Sequence, residues 1–329
     1  MKIRKEVQVE AIADEVLALT SVVRPILTGL LYALKADVVE EAGGFENVKL
    51  KMLPRLYRPG SGDCGICFEY AVHEALQRQD GRVLERVNDA AQLCNVPGSN
   101  LKSLLFGLEK NGALKLIDAA NEALNEESLL LYGKRGRPAK LKSYIGTLAG
   151  AFRNSRTRLA LPSSIQGLWK ADLFIGFTDS DRWVATTVKI NQNQLAGAEG
   201  LRIGIVPNRQ GQNDQVRKDD GKNLVICPIN HDHDFMQTFY EGWRTVQAFI
   251  ASDARVPNEA MLPVPIQREV CRLLQERREF PVIDVIEAIA PFGQRGLMET
   301  EEEEVGIFLE NNQPSFTDLM IAPKGKDVN

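Results

Sequence analysis

KADLFIGFTDSDRWVATTVKIN, residues 170–191, holds the strongest β-sheet pattern in the chain. Two runs rich in aliphatic, aromatic and β-branched residues, Lys170 to Phe177 and Trp183 to Asn191, flank a polar turn around Asp179 to Asp181. That pattern predicts an antiparallel hairpin. The outer ends of such a pair are neighbours, so Asp172, near the start of the first strand, is expected beside Lys189, near the end of the second. Thr187 and Lys189 are two residues apart, and the alternation of a strand sends both side chains to one face. A carboxylate, a hydroxyl and an amine are thus expected to converge.

Outward from the hairpin, LRIGIVP (201–207) and NLVICPIN (223–230) read as two further strands. QNQLAGAEG (192–200) is a helix or turn before the first of them, and NRQGQNDQVRKDDGK (208–222) is a polar loop between them. Helical periodicity returns in residues 233–252, 268–278 and 281–293. Upstream, apolar residues at three- and four-residue spacing over 8–38 predict one long helix or two, with Pro25 as a kink. The loop LPRLYRPGSGD (53–63) precedes a helix, CGICFEYAVHEALQRQ (64–79), that carries Glu69 near its start. Residues 82–96 and 99–124 read as a helical pair broken at Pro97-Gly98.

The fold class expected is α/β, a mixed central sheet flanked by helices with N-terminal and inserted helical elements. The organisation read from the chain is an N-terminal helical segment (1–60), a core helix (61–80), an inserted helical subdomain (81–127), a basic segment (128–170), a core of sheet and helices (171–295) and an exposed acidic tail (296–329).

At 329 residues and 44% hydrophobic content the chain can bury a sizeable core. No run of 18 or more uncharged apolar residues occurs and the N-terminus is charged, so no membrane association and a cytoplasmic location are expected. Five scattered cysteines suit reduced, buried thiols better than a disulfide framework. The net charge of -4 excludes a uniformly basic coat, but the distribution is uneven. From Ser128 to Ala171 there is no Asp or Glu, while Lys134, Arg135, Arg137, Lys140, Lys142, Arg153, Arg156 and Arg158 all fall there. Within it YGKRGRPAKLK (132–142) is similar to the AT-hook, in which a slim Gly- and Pro-containing backbone lays arginines into a narrow minor groove. The segment is expected to act as a phosphate-contacting arm.

Glu69 on a helix, Asp172 on a strand and Thr187-Val188-Lys189 on the next strand together resemble the PD-(D/E)XK (restriction-endonuclease-like) nuclease superfamily. The resemblance covers roughly residues 60–80 and 168–250. It implies a site in which Asp172 is the main ligand of Mg²⁺, with Mn²⁺ as a substitute, and the Val188 carbonyl completes the shell. Glu69 would bind the metal or orient its water, and Lys189 would position the attacking water. Thr187 departs from the family, which has an acid there; Glu199 is a candidate to replace that charge and Glu74 a candidate to replace Glu69. The implied function is a magnesium-dependent deoxyribonuclease for restriction or antiphage defence. Double-stranded DNA would be its partner, with a second copy of the chain or a defence-system subunit as a further one.

Two other function classes fit parts of the sequence. Loss of the acid at Thr187 is what a catalytically weakened DNA-binding protein on the same fold would show. CGICFEY (64–70) resembles the papain-like cysteine proteases, in which Cys67 would be the nucleophile and His231 or His233 the base. Cys64, Cys67, His231 and His233 also have zinc-ligand spacings, and no GxxxxGK[ST] is present to suggest a nucleotide engine.

Overall fold

The computed structural model describes residues 14–58, 63–106, 113–132, 138–159, 161, 165, 171–195, 200–209, 211–231 and 234–293. In chain order these form α1 (Asp14–Ala33), α2 (Ala36–Glu41), α3 (Leu53–Leu56), α4 (Asp63–Gln77), α5 (Gly81–Leu93), β1 (Leu101–Leu105) and α6 (Ala113–Ala123). There follow β2 (Leu129–Leu130), β3 (Ala139–Lys140), α7 (Leu141–Arg153), α8 (Ser155–Leu159), β4 (Leu173–Phe177), β5 (Arg182–Val188) and β6 (Arg202–Asn208). The last elements are β7 (Arg217–Asp219), β8 (Leu224–Asn230), α9 (Asp234–Ala251), α10 (Pro265–Gln275) and α11 (Val282–Ala288). The fold is a mixed, open α/β sheet flanked by helices.

The sheet runs β1-β4-β5-β6-β8-β7, with β2 alongside β5 and β3 alongside β2. β1, β4 and β5 are antiparallel neighbours, whereas β5, β6 and β8 are parallel. Helices cover both faces of the sheet, so its central strands are buried throughout. All five residues of β4 and all seven of β6 are buried. Alternation divides β4 and β5: Leu173, Ile175, Val184 and Val188 join the larger core with α1, α4, α9 and α10, while Phe174, Trp183 and Ala185 join a second core beneath α6 and α7.

α1 is the one helix among the described residues long and apolar enough to cross a membrane. Here it serves as an internal helix, packed against α4, α9, α10 and α11. Pro25 lies inside it without dividing it. Gly29 sets how closely α1 approaches α4, because a Cβ at that position would fall 2.8 Å from the Cys67 Cα. Removing a methyl group at this crossing is what lets α4 sit where it does.

Three readings of the sequence are corrected. Residues 101–105, taken as helical, form β1, and β2 also lies in the same sheet, so the segments 81–127 and 128–170 each contribute a strand to it. Leu101, Leu104 and Leu105 fit a helical stripe as well as a strand, and so short a segment cannot be resolved by period alone. Here both faces are used: Leu101 and Leu105 enter the larger core, Leu104 and Phe106 the smaller. The loop over 208–222 contains β7, which pairs antiparallel with β8. The basic segment is not an extended arm throughout, since residues 141–153 and 155–159 are helical, with Leu141, Ile145, Leu148 and Ala149 buried in the second core. The acidic tail, Asn111, Gly112 and residues 196–199 of QNQLAGAEG lie outside the described residues, while Gln192–Gln194 form a short 3-10 turn. All five cysteines are free thiols.

Candidate active site

The register of β4 on β5 pairs Leu173 with Thr186 and Phe177 with Arg182, and Asp172 directly precedes this ladder. The Asp172 N–H donates to the Thr186 carbonyl at 2.9 Å, so Asp172 is held against the residue that already faces Leu173. At this end Asp172 Oδ2 accepts from the Val188 N–H at 2.8 Å and from Lys189 Nζ at 2.9 Å. The Lys189 backbone is held from the other side, its N–H donating to the Ile205 carbonyl of β6 at 3.0 Å. Both strands therefore fix the amine and the carboxylate independently of the contact between them.

α4 supplies the third group. Asp63 in its first turn complements the helix dipole and accepts from the Tyr57 hydroxyl at 2.9 Å, anchoring the start of the helix. Cys67, Phe68, Ala71 and Val72 bury one side of it, and Glu69 emerges at the rim to accept from Lys189 Nζ at 3.1 Å. Glu74 lies elsewhere, engaged by Arg24 at 2.7 Å and Arg78 at 3.5 Å, so it does not substitute for Glu69. Burial pulls the Lys189 ammonium down, but the charges and hydrogen bonds of Asp172 and Glu69 outweigh it and the net shift is upward. Lys189 is held as a cation between two carboxylates.

A fourth group is one that sequence reasoning missed. Arg202, at the first position of β6, is 8% exposed, and its Nη1 lies 3.5 Å from the Thr187 hydroxyl. Burial pushes its guanidinium down, and the charge of Asp172 opposes that shift. The β5–β6 register sets Arg202 beside Ala185 and Gly204 beside Thr187. Where an acid would complete the nuclease pattern, this chain has a hydroxyl facing a buried arginine. The site thus contains two carboxylates and two cations.

The residues fit a divalent cation of the hard, oxygen-binding kind in number, though weakly in charge. Mg²⁺ is commonly held by only one or two carboxylates with water and substrate phosphate completing its shell. Asp172 and Glu69 are two carboxylates converging on one point; no cluster of three or more His, Cys, Asp or Glu occurs among the described residues. Val188 meets Asp172 through its N–H, and Glu199 lies outside the described residues.

The other candidates are placed as follows. Lys140 and Lys142 pair with Glu127 at 3.1 Å and Glu126 at 3.0 Å, acids that lie just before the acid-free stretch begins. Arg156 is exposed. The side chains of Arg153 and Arg158, and all of Lys134, Arg135 and Arg137, lie outside the described residues. Cys67 is completely buried, its thiol donates to the Ile26 carbonyl at 3.4 Å, and burial pushes its pKa well up. That is the reverse of a thiolate nucleophile or zinc ligand. His233 lies outside the described residues.

Searches against protein-family models, curated proteins and solved structures find no match to this chain.

Proposed function

We propose that this chain is a metal-dependent endodeoxyribonuclease with a restriction-endonuclease-like core, acting in the cytoplasm in restriction or antiphage defence. The observation that carries the reading is Lys189 bridging Asp172 and Glu69 at the end of β5. The order of elements supports it: a Glu-bearing helix, three antiparallel strands with Asp172 and Lys189 on the second and third, then a parallel fourth strand. Asp172 and Glu69 would hold Mg²⁺ or Mn²⁺, and the metal would supply Lewis-acid activation of water and neutralisation of phosphate charge. Lys189 orients the water and offers its ammonium to the charge that develops on the phosphoryl oxygens. Asp172 keeps Lys189 protonated and aimed, while Val188 fixes the Asp172 carboxylate through its N–H. Arg202, buried and aimed at Thr187, draws on the same carboxylate and reduces the negative field available to the cation. Exposed basic residues such as Arg156 would meet the duplex backbone, and cutting both strands would call for a second copy of the chain.

The arginine at Thr187 specifically favours one alternative, a protein that binds DNA through this fold and cleaves it slowly or not at all. A plasmid assay separates the two. Relaxation or linearisation with 10 mM Mg²⁺ or Mn²⁺, abolished by chelator and by Lys189→Ala and Asp172→Asn, is the expected result. Binding without cleavage at any metal concentration supports the weakened form, and cleavage that survives both substitutions removes the site assignment.

A further inference from the structure

A concave site apart from the Lys189 site lies at the same edge of the sheet. It is a cleft of about 470 Å³ lined by His231, Gln237, Tyr240, Glu241, Trp243 and Arg244. That volume is within the range that encloses small ligands. Its walls come from one face of α9 and from the residue that follows β8. The His231 and Tyr240 rings face each other at 5.3 Å and 35°, and the Trp243 ring is half-buried rather than withdrawn into the core. Arg244, Gln237 and Glu241 are exposed around it, giving donors and acceptors beside the aromatic surfaces.

The cleft is tied to the acid and lysine site by two routes. β5, β6 and β8 are parallel, so their carboxyl ends share one edge, where open α/β sheets bind ligands. Val188 pairs with Ile205 and Asn208 with Asn230, and the His231 N–H donates to the Asn208 carbonyl at 3.0 Å. His231 is therefore two strands across and three residues along from Lys189, on the order of 14 Å. The second route runs through the helices: Phe68 and Phe239 pack edge to face at 5.3 Å, and they directly precede Glu69 and Tyr240 in the chain. Burial pushes the Tyr240 phenol up, with the Cys64 thiol adding to the rise and the positive charge of Arg209 opposing it. Arg209, exposed at the end of β6, thus places a cation between the two sites.

We infer that this cleft takes an unpaired nucleobase of the DNA strand whose backbone lies in the Glu69–Asp172–Lys189 site, stacking it against Tyr240 and Trp243. The inference deepens the nuclease reading and rests on it for the identity of the strand. Aromatic faces accept any base, because every base has a π-face to stack, and Arg, Gln and Glu are the side chains that read base edges. Arg209 and Arg244 would hold the phosphates between the cleft and the scissile bond, a few nucleotides away. A base can reach the cleft only if it leaves the duplex, so the substrate at this point is single-stranded or locally opened.

The test uses the full chain in chelator, where binding is read without cleavage. Single-stranded 12-mers carrying one 2-aminopurine, moved along the sequence, are titrated with protein alongside duplexes of the same sequence. The expected result is strong quenching at one position of the single strand. Tyr240→Ala and Trp243→Ala should each relieve the quenching and weaken binding about tenfold; Trp243→Phe should retain both. Arg244→Ala, at an exposed position, covers the case in which an aromatic substitution unfolds the protein, and it should weaken binding with quenching intact. Oligonucleotide bound without a quenched position, or unaffected by these substitutions, overturns the cleft while plasmid cleavage still stands. No binding of either oligonucleotide overturns it also. Position-specific quenching in a protein that never cuts plasmid keeps the cleft and removes the nuclease reading.

Discussion

Replacing Lys189 with methionine should convert the protein into one whose stability depends on divalent metal. The Glu69 and Asp172 side chains are 19% and 15% exposed, and that of Lys189 is 28% exposed. Exposed ion pairs contribute at most about 1 kcal/mol, whereas leaving a buried charge without its partner costs about 3–5 kcal/mol. This site lies nearer the buried limit. Asp172 keeps its hydrogen bond from the Val188 N–H in the variant, so a loss of about 2–3 kcal/mol is expected in chelator. At roughly 2 °C per kcal/mol for a chain of this size, Tm falls by about 5 °C. The two carboxylates, freed of their shared cation, then form a better metal site than in the wild type. If Mn²⁺ binds the variant with Kd on the order of 0.1 mM, adding 10 mM returns about 2.7 kcal/mol. Thermal melts of both proteins in chelator and in Mn²⁺ read the effect directly. The wild type, with Lys189 in place, should shift less than the variant. Equal Tm values in chelator, or a variant whose Tm is unmoved by Mn²⁺, would refute the claim that one amine satisfies both acids.

Thr187→Glu alone should raise Mn²⁺ affinity little, because the new carboxylate meets Arg202; combined with Arg202→Met it should raise affinity about tenfold or more, a non-additivity measurable by calorimetry. His73 is held to about 4 by burial, with its Nδ1 2.8 Å from the Ser103 hydroxyl. Its folded pKa lies below the unfolded value near 6.5, so stability is undiminished above pH 6.5 and falls as pH drops from there towards 4. Urea unfolding at pH 7 and pH 5 should show a loss of about 1–2 kcal/mol that His73→Gln removes; a pH dependence unchanged by the substitution would discount this histidine. Gly29→Ala should cost about 1–3 kcal/mol and slow cleavage as well, since α4 must retreat from a methyl group set against Cys67. Wild-type Tm with the alanine would mean that this crossing does not position Glu69. Cys67→Ala should leave plasmid cleavage intact while lowering Tm by a few degrees, and loss of cleavage in a folded variant would restore the thiol to consideration.

The hairpin was legible because everything that makes it is local. Aliphatic runs, a polar turn with Asp181 in the left-handed region at φ 51°, and alternation on β5 fix which side chains are neighbours within 22 residues of chain. Glu69 was legible only through the family resemblance, for nothing in CFEYAVHEAL by itself distinguishes Glu69 from Glu74. The distinction is tertiary: Glu74 meets Arg24 on α1, and Glu69 meets Lys189 on β5.

The same limit explains two features that the local sequence does not show. An arginine opening an apolar run looks like a solvated strand end, and Arg202 becomes a buried site residue only because β6 lies parallel beside β5, where the arginine pairs with Ala185 and its side chain reaches Thr187. The acid-free stretch begins at Ser128, whereas Glu126 and Glu127, immediately before it, fold back onto Lys142 and Lys140. Such exposed pairs are worth little, so a phosphate can displace either glutamate. Lys140 and Lys142 are therefore only loosely neutralised, and under the proposed function they could meet a phosphate. That distinguishes them from Arg202, which is buried against Thr187 and cannot be redirected to a phosphate without first being uncovered. In a chain that binds DNA and metal as proposed, only the exposed kind of cation would give binding its dependence on salt, and the buried kind would set how strongly the carboxylates hold metal.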